Sequence, residues 1–151
     1  MSAGVAMAVA LGLLIGPPAS GPPKVGGTIS VAPPPAWIEV GARSRWLAYG
    51  SYCWGTACVD MLPPESRPDL PRVNVTPGRM LRVHFAFEPS RASVHVLRAT
   101  RWVRLASIGG RTLSFRARRG ILIVDASGAR GSASYVARLV SSVSTAGQKS
   151  P

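Results

Sequence analysis

Covalent, metal or acid–base chemistry in this chain would have to be built from two cysteines, Cys53 and Cys58, two histidines, His84 and His95, and six carboxylates. The cysteine spacing closes a small ring around Trp54-Gly55-Thr56-Ala57, and a disulfide there would contribute about 2 kcal/mol by loop closure. Behind an apolar N-terminus the pair reads as one disulfide formed outside the cytoplasm; in a cytosolic protein it would be two free thiols. Adding both histidines to make a Cys2His2 zinc site fails on spacing. Cys-x4-Cys followed, after 25 intervening residues, by His-x10-His is not a finger pattern, and its ligands would come from separate strands. A blue-copper site needs Cys and His clustered near the last strands, and no cysteine follows Cys58. Neither a metal nor a cofactor is expected.

Hydrolytic chemistry has as little support. The chain has no Gly-x-Ser-x-Gly elbow and no Gly-rich phosphate loop ending in Lys-Ser or Lys-Thr. A carboxylate pair such as Asp60 with Glu65 is a weak acid/base pattern, and spatial assembly of His84 or His95 with Asp60 or Asp125 cannot be read from sequence. The expectation is a non-catalytic protein, so the residues that matter are those that could touch a partner. Trp37, Trp46, Tyr49, Tyr52, Trp54 and Trp102 offer planar surfaces for a sugar ring or a protein. Trp46, Tyr49 and Tyr52 do not keep one parity, so an extended stretch would turn some of them outward. Trp54, inside the cysteine ring, is the foremost candidate for exposure, with Tyr52 beside it.

The elements that must position these residues are short β-strands. From Ala36 to Val143, runs of β-branched, aromatic and aliphatic residues recur between turn clusters such as Pro63-Pro64-Glu65-Ser66, Thr76-Pro77-Gly78 and Glu88-Pro89-Ser90-Arg91. This spacing predicts an all-β, antiparallel sandwich of about seven to eight strands. A four-residue loop at Glu88 to Arg91 sets Phe85 opposite Val94, Val83 opposite Val96 and His84 opposite His95, where two imidazolium charges would repel and create a proton-sensitive spot. A three-residue loop at Gly109 to Arg111 sets Leu105 opposite Phe115 and Arg104 opposite Arg116, a like-charge pair that an anion could bridge. The last unit pairs Ile121–Val124 with Ser134–Val140, placing Ile121, Ile123, Tyr135, Ala137 and Leu139 on one face; the unbroken apolar run marks a central strand covered on both sides.

This last hairpin, with Gly120 just before it, resembles the closing hairpin of immunoglobulin-like sandwiches. Leu122 stands where such domains often carry a corner tyrosine, and no cysteine follows it. The run Gly50-Ser51-Tyr52-Cys53-Trp54, the nearby Cys58-Val59-Asp60 and the Pro-rich loop after them are similar to small exported bacterial β-sandwich proteins. The resemblance covers roughly two thirds of the chain. It implies a fold and a compartment and brings no activity with it.

The flanks complete the reading. Residues 1–23 are expected to be a signal peptide or an N-terminal anchor: the apolar run, which ends at Ile15, is too short to span a bilayer, although no Lys or Arg precedes it and prolines crowd its cleavage region. Residues 24–35 read as a Pro/Gly-rich linker with a short strand at Thr28 to Val31, 36–143 as the sandwich, and 144–151 as a disordered tail. Asn74-Val75-Thr76 matches a glycosylation sequon and reads as the start of a turn. The charge of +12, from 16 arginines and 2 lysines, fits a GC-rich coding bias and would also attract anionic polymers. The expected function is an exported binding or structural module of the cell envelope. Its partner would be an anionic or polysaccharide component or another envelope protein, met through Tyr52, Trp54, Arg104 and Arg116. A nucleic-acid-binding protein and a hydrolase of unrecognised type are the alternatives.

Overall fold

The computed structural model describes residues 15–24, 31–108 and 110–142. The expectations for residues 1–14 of the leader, for most of the strand at Thr28 to Val31, for Gly109 and for the tail at 144–151 lie outside them. Eleven strands follow in chain order: β1 (Ala36–Val40), β2 (Arg43–Trp46), β3 (Ala48–Trp54), β4 (Ala57–Val59), β5 (Arg72–Val75), β6 (Met80–Phe85), β7 (Arg91–Arg98), β8 (Arg101–Ile108), β9 (Thr112–Arg116), β10 (Gly120–Gly128) and β11 (Gly131–Ser141). A single 3-10 turn at Pro64–Ser66 is the only helical element among the described residues.

The strands form a sandwich of two sheets. The smaller has the order β2-β1-β6-β9, and the larger runs β4-β3-β11-β10-β7-β8. All pairings are antiparallel except that of β5, which runs parallel to the C-terminal half of β11. The core lies between the sheets because strand alternation puts apolar residues there: Ile38, Val83 and Leu113 from the smaller sheet meet Val94, Val96, Leu122 and Val124 from the larger, all fully buried. The larger sheet is covered on its outer face as well, where Leu70 packs with Ile121 and Val136.

Two expected hairpins are absent. Val83 and Phe85 do not pair with Val96 and Val94, because β6 belongs to the smaller sheet, between β1 and β9, while β7 belongs to the larger, between β10 and β8. The connection of residues 86–90 is an arch across the core. The same holds for β8 and β9, so Leu105 does not oppose Phe115, and Arg104 does not oppose Arg116. The third hairpin is present, with β10 central, but its faces differ from the expected set. Leu122 and Val124 stand opposite Ala137 and Tyr135 on the core face, whereas Ile121 and Ile123 stand opposite Arg138 and Val136 on the outer one.

The mixed parity of the early aromatics has two causes. Trp46 ends β2 in one sheet and Tyr49 lies in β3 of the other, the chain crossing at the fully buried Leu47. Within β3 the register against β11 shifts: Tyr52 opposes Ala133 and Tyr49 opposes Tyr135, so Gly50 and Ser51 together face Ser134. This bulge turns both tyrosines inward despite their odd spacing. Gly50 permits it, since a Cβ there would sit 3.0 Å from the Ser134 Cβ.

Candidate functional site

At one end of the sandwich Cys53 and Cys58 are disulfide-bonded, directly opposite each other across the β3–β4 hairpin. Both cysteines point outward, and that fixes their neighbours: Tyr52 and Trp54, one residue to either side on the same strand, point inward and are each only 4% exposed. They are core residues, which removes them as contact surface. Trp54 packs edge-on against Phe87, and a run of aromatic contacts continues through Phe85, Tyr135 and Tyr49 to Tyr52.

The polar ends of this aromatic run are held by residues read as linker. The Tyr49 hydroxyl donates to the Pro33 carbonyl at 2.8 Å and the Tyr135 hydroxyl to that of Pro34 at 2.6 Å, while the Ala86 N–H donates to Pro35. Prolines at these positions leave carbonyls free while supplying no competing N–H. Burial pushes the Tyr49 phenol up to about 12, with nearby Tyr52 adding to the effect. Burial raises Tyr135 further, with Tyr49 contributing.

The two histidines lie in different sheets, so they make no proton-sensitive pair. His84 stacks on Trp37 with ring centroids 5.3 Å apart, and Trp37 meets Trp46 edge-on. Its Nε2 lies 2.8 Å from Glu39 Oε2 and its Nδ1 3.1 Å from the Thr112 hydroxyl, while Arg82 holds the other Glu39 oxygen at 3.0 Å. This ladder ties β1, β6 and β9 together across the smaller sheet. In the larger sheet Arg104 donates to His95 Nε2 at 3.3 Å, and Asp125 lies 3.9 Å from His95 Nδ1 while accepting from Ser134. That arrangement directs the serine proton to the carboxylate, so Ser134 is not the activated nucleophile of a Ser-His-Asp relay. Arg104 is thus placed by His95, and Arg116, opposite Met80, donates to the Gly78 carbonyl at 3.1 Å.

Sequence reasoning missed Arg67. It is 7% exposed, donates to the Tyr49 carbonyl, and is paired with Asp69 at 2.8 Å. The side-chain hydrogen bonds from Arg67 hold the Asp69 carboxyl below its ordinary value. Arg67 pins the Pro-rich loop that carries Leu70 onto the larger sheet, which is a structural role.

The end opposite the disulfide is different in character. Two hollows adjoin there, one of about 760 Å³ lined by Arg98, Arg101, Arg119 and Arg138, the other of about 380 Å³ lined by Arg98, Arg116, Arg118 and Arg119. Among the described residues no acidic side chain lines either one. The arginines arrive from four places: the tip of the β7–β8 hairpin, the end of β9, the loop before β10, and β11. Gly120 makes the meeting of two of these elements possible. Its φ is +141°, and a Cβ there would collide with the Leu97 carbonyl oxygen, so only glycine lets Arg118-Arg119 approach the hairpin tip.

This end stores unfavourable local choices. Arg98 and Arg101 are direct cross-strand partners, a like-charge pair that weakens a hairpin by roughly 0.2–1 kcal/mol. The turn between them holds Ala99 at φ 52°, the only non-glycine residue with positive φ among those described, at a cost of about 1–2 kcal/mol. Strain and repulsion concentrated in one place are characteristic of a site shaped for a ligand. The sequence signals were arginines flanking a two-residue gap, Arg98-Ala99-Thr100-Arg101, and the doublet Arg118-Arg119 before a glycine.

No protein family, curated protein or solved structure matches the chain.

Proposed function

We propose that the protein is an exported, non-catalytic β-sandwich module of the cell envelope that binds an anionic partner at its arginine-lined end. The observation that carries this reading is the meeting of six arginines around two adjoining hollows that, among the described residues, no carboxylate lines. Guanidinium groups are weakly hydrated planar donors that bind oxyanions through paired hydrogen bonds, and a ligand there would relieve the Arg98–Arg101 repulsion. Export is supported by the Cys53–Cys58 disulfide, which forms and persists in oxidising compartments, and by the apolar N-terminal run. Among the described residues no helix is long and apolar enough to cross a membrane. We read the sandwich as immunoglobulin-like on the strength of its β10–β11 hairpin, a proposal about fold alone.

The test is binding of the purified full chain to anionic envelope polymers over a salt series. Arg98→Gln/Arg119→Gln, which touches both hollows, should weaken binding at least about 10-fold and lower the salt slope by about 2, one for each guanidinium removed. Arg91→Gln, at the opposite end of β7 from Arg98, should change little. Absence of binding at low salt, or binding indifferent to the double substitution, overturns the reading. Cell fractionation checks compartment separately: a protein retained in the cytoplasm with free thiols would favour the nucleic-acid alternative.

A further inference from the structure

We infer that the ligand of the arginine end is a chain of consecutive phosphoryl groups, diphosphate or longer, lying across both hollows. This rests on the anion-binding reading above and narrows it. Three features favour phosphoryl groups over the isolated carboxylates of an acidic polysaccharide.

The first is direction. The four arginines around the larger hollow come from β7, β8, the loop before β10, and β11, consecutive neighbours in the larger sheet, so they form a row across its end rather than a single point of charge. A carboxylate offers two oxygens in one plane and is satisfied by one guanidinium fork. In a phosphoryl chain each internal group carries two non-bridging oxygens and a terminal group three, so successive groups accept from several forks along a row.

The second is density. Six guanidinium groups share two hollows, and Arg98 and Arg119 belong to both. Neutralising them needs closely spaced charge. Sugar acids bring one carboxylate per ring, whereas phosphoryl groups joined through a single bridging oxygen bring successive charges within the reach of neighbouring arginines.

The third is size. A hollow of about 760 Å³, shallow and open to solvent, is far larger than one phosphate and has room for an extended chain. A single orthophosphate would engage a fraction of the arginines, while a longer chain would engage the shared pair and both flanks together. The Ala99 turn contributes by holding Arg98 and Arg101 side by side at the rim. Linear polyphosphate and a lipid-linked diphosphate share this chemistry.

The experiment is calorimetric titration of the full chain at fixed ionic strength with orthophosphate, tripolyphosphate, long-chain polyphosphate and polygalacturonate, the last two matched in total charge. Tripolyphosphate should bind at least 10-fold more tightly than orthophosphate, and polyphosphate at least 10-fold more tightly than polygalacturonate. Arg98→Gln/Arg119→Gln should abolish both preferences. A further arm compares phosphatidylglycerol vesicles with and without a polyprenyl diphosphate: a gain with the diphosphate assigns the lipid source, and equal binding with tight tripolyphosphate binding assigns the soluble one. Polyphosphate and polygalacturonate binding equally, both sensitive to the substitutions, overturns the phosphoryl assignment and leaves the general anionic reading standing. Binding of none of these probes overturns both.

Discussion

Tyr49 and Tyr135 are neutral, buried and hydrogen-bonded to proline carbonyls, which makes them a built-in alkaline limit on the fold. Their phenols are raised by burial, Tyr49 to about 12, against an unfolded value near 10. Because the folded state holds these protons more tightly, their contribution is complete below about pH 10 and is lost as pH rises through the folded values. Urea midpoints should therefore fall steadily above about pH 10, with a shallower fall in Tyr135→Phe. Tyrosinate absorbance from these two residues appearing while the far-ultraviolet signal stays native would contradict the burial argument. At this scale the sequence was partly legible. The chemical types were visible, and the disulfide was read correctly from two cysteines behind an apolar N-terminal run. What alternation alone could not supply was inside from outside around Cys53. Once the cysteines point outward Tyr52 and Trp54 must point inward, and the bulge at Gly50 that brings Tyr49 with them has no signature beyond the glycine itself.

At the scale of elements, the lesson lies in the arch between β6 and β7. Val83, Phe85, Val94 and Val96 are all buried, as the alternation required, but they face one another across the core instead of lying side by side in one sheet. Binary pattern fixes which residues point inward. It is silent on whether two consecutive strands share a sheet or face each other, because both satisfy the same parity. The β10–β11 hairpin was legible because two apolar runs, Ile121–Val124 and Ser134–Val140, flank one Gly-rich stretch; the strands extend beyond both runs to a two-residue connection, Ala129-Arg130. Two glycines set these joints. At Gly131, φ +147°, a Cβ would collide with the Cys53 carbonyl oxygen; at Gly120 it would collide with that of Leu97. Gly120→Ala and Gly131→Ala should each destabilise by at least about 2 kcal/mol in urea unfolding, whereas Gly41→Ala, with open space around it, should cost about 1 kcal/mol from its positive φ alone. Equal costs at all three positions would refute the close-approach argument. Reducing the disulfide should cost at most about 2 kcal/mol and leave the sandwich folded, because both cysteines sit outside the core on the exposed face of a hairpin. Loss of native near-ultraviolet ellipticity on reduction alone would count against this.

Across the whole molecule, the six-arginine cluster and the covalent constraint are segregated. Along β11, Gly131 marks the disulfide end and Arg138 the arginine end, a separation of about 23 Å at the rise of an extended strand. The disulfide loop and the basic surface therefore do not form one contact face. Crowding of like charge at one end also predicts a stability signature: Arg101→Gln should raise the thermal midpoint at low salt, and the gain should vanish above about 0.5 M salt as screening removes the repulsion. A substitution that lowers the midpoint at low salt would mean that Arg101 is held by favourable interactions of its own.

β11 has another consequence, which concerns time. It pairs with β10 along one edge and with both β3 and β5 along the other, so strands from the first half of the chain acquire their central neighbour only from the last strand in chain order. While the polypeptide is still emerging from the ribosome, β3 has only its hairpin partner β4 and β5 has none, and the larger sheet cannot assemble until β11 is available. Pairings this distant in sequence also make folding slow, on the millisecond-to-second scale of all-β domains. A chain arranged in this way stays unfolded and threadable through most of its synthesis, and it commits to its final shape only once nearly all of it is available.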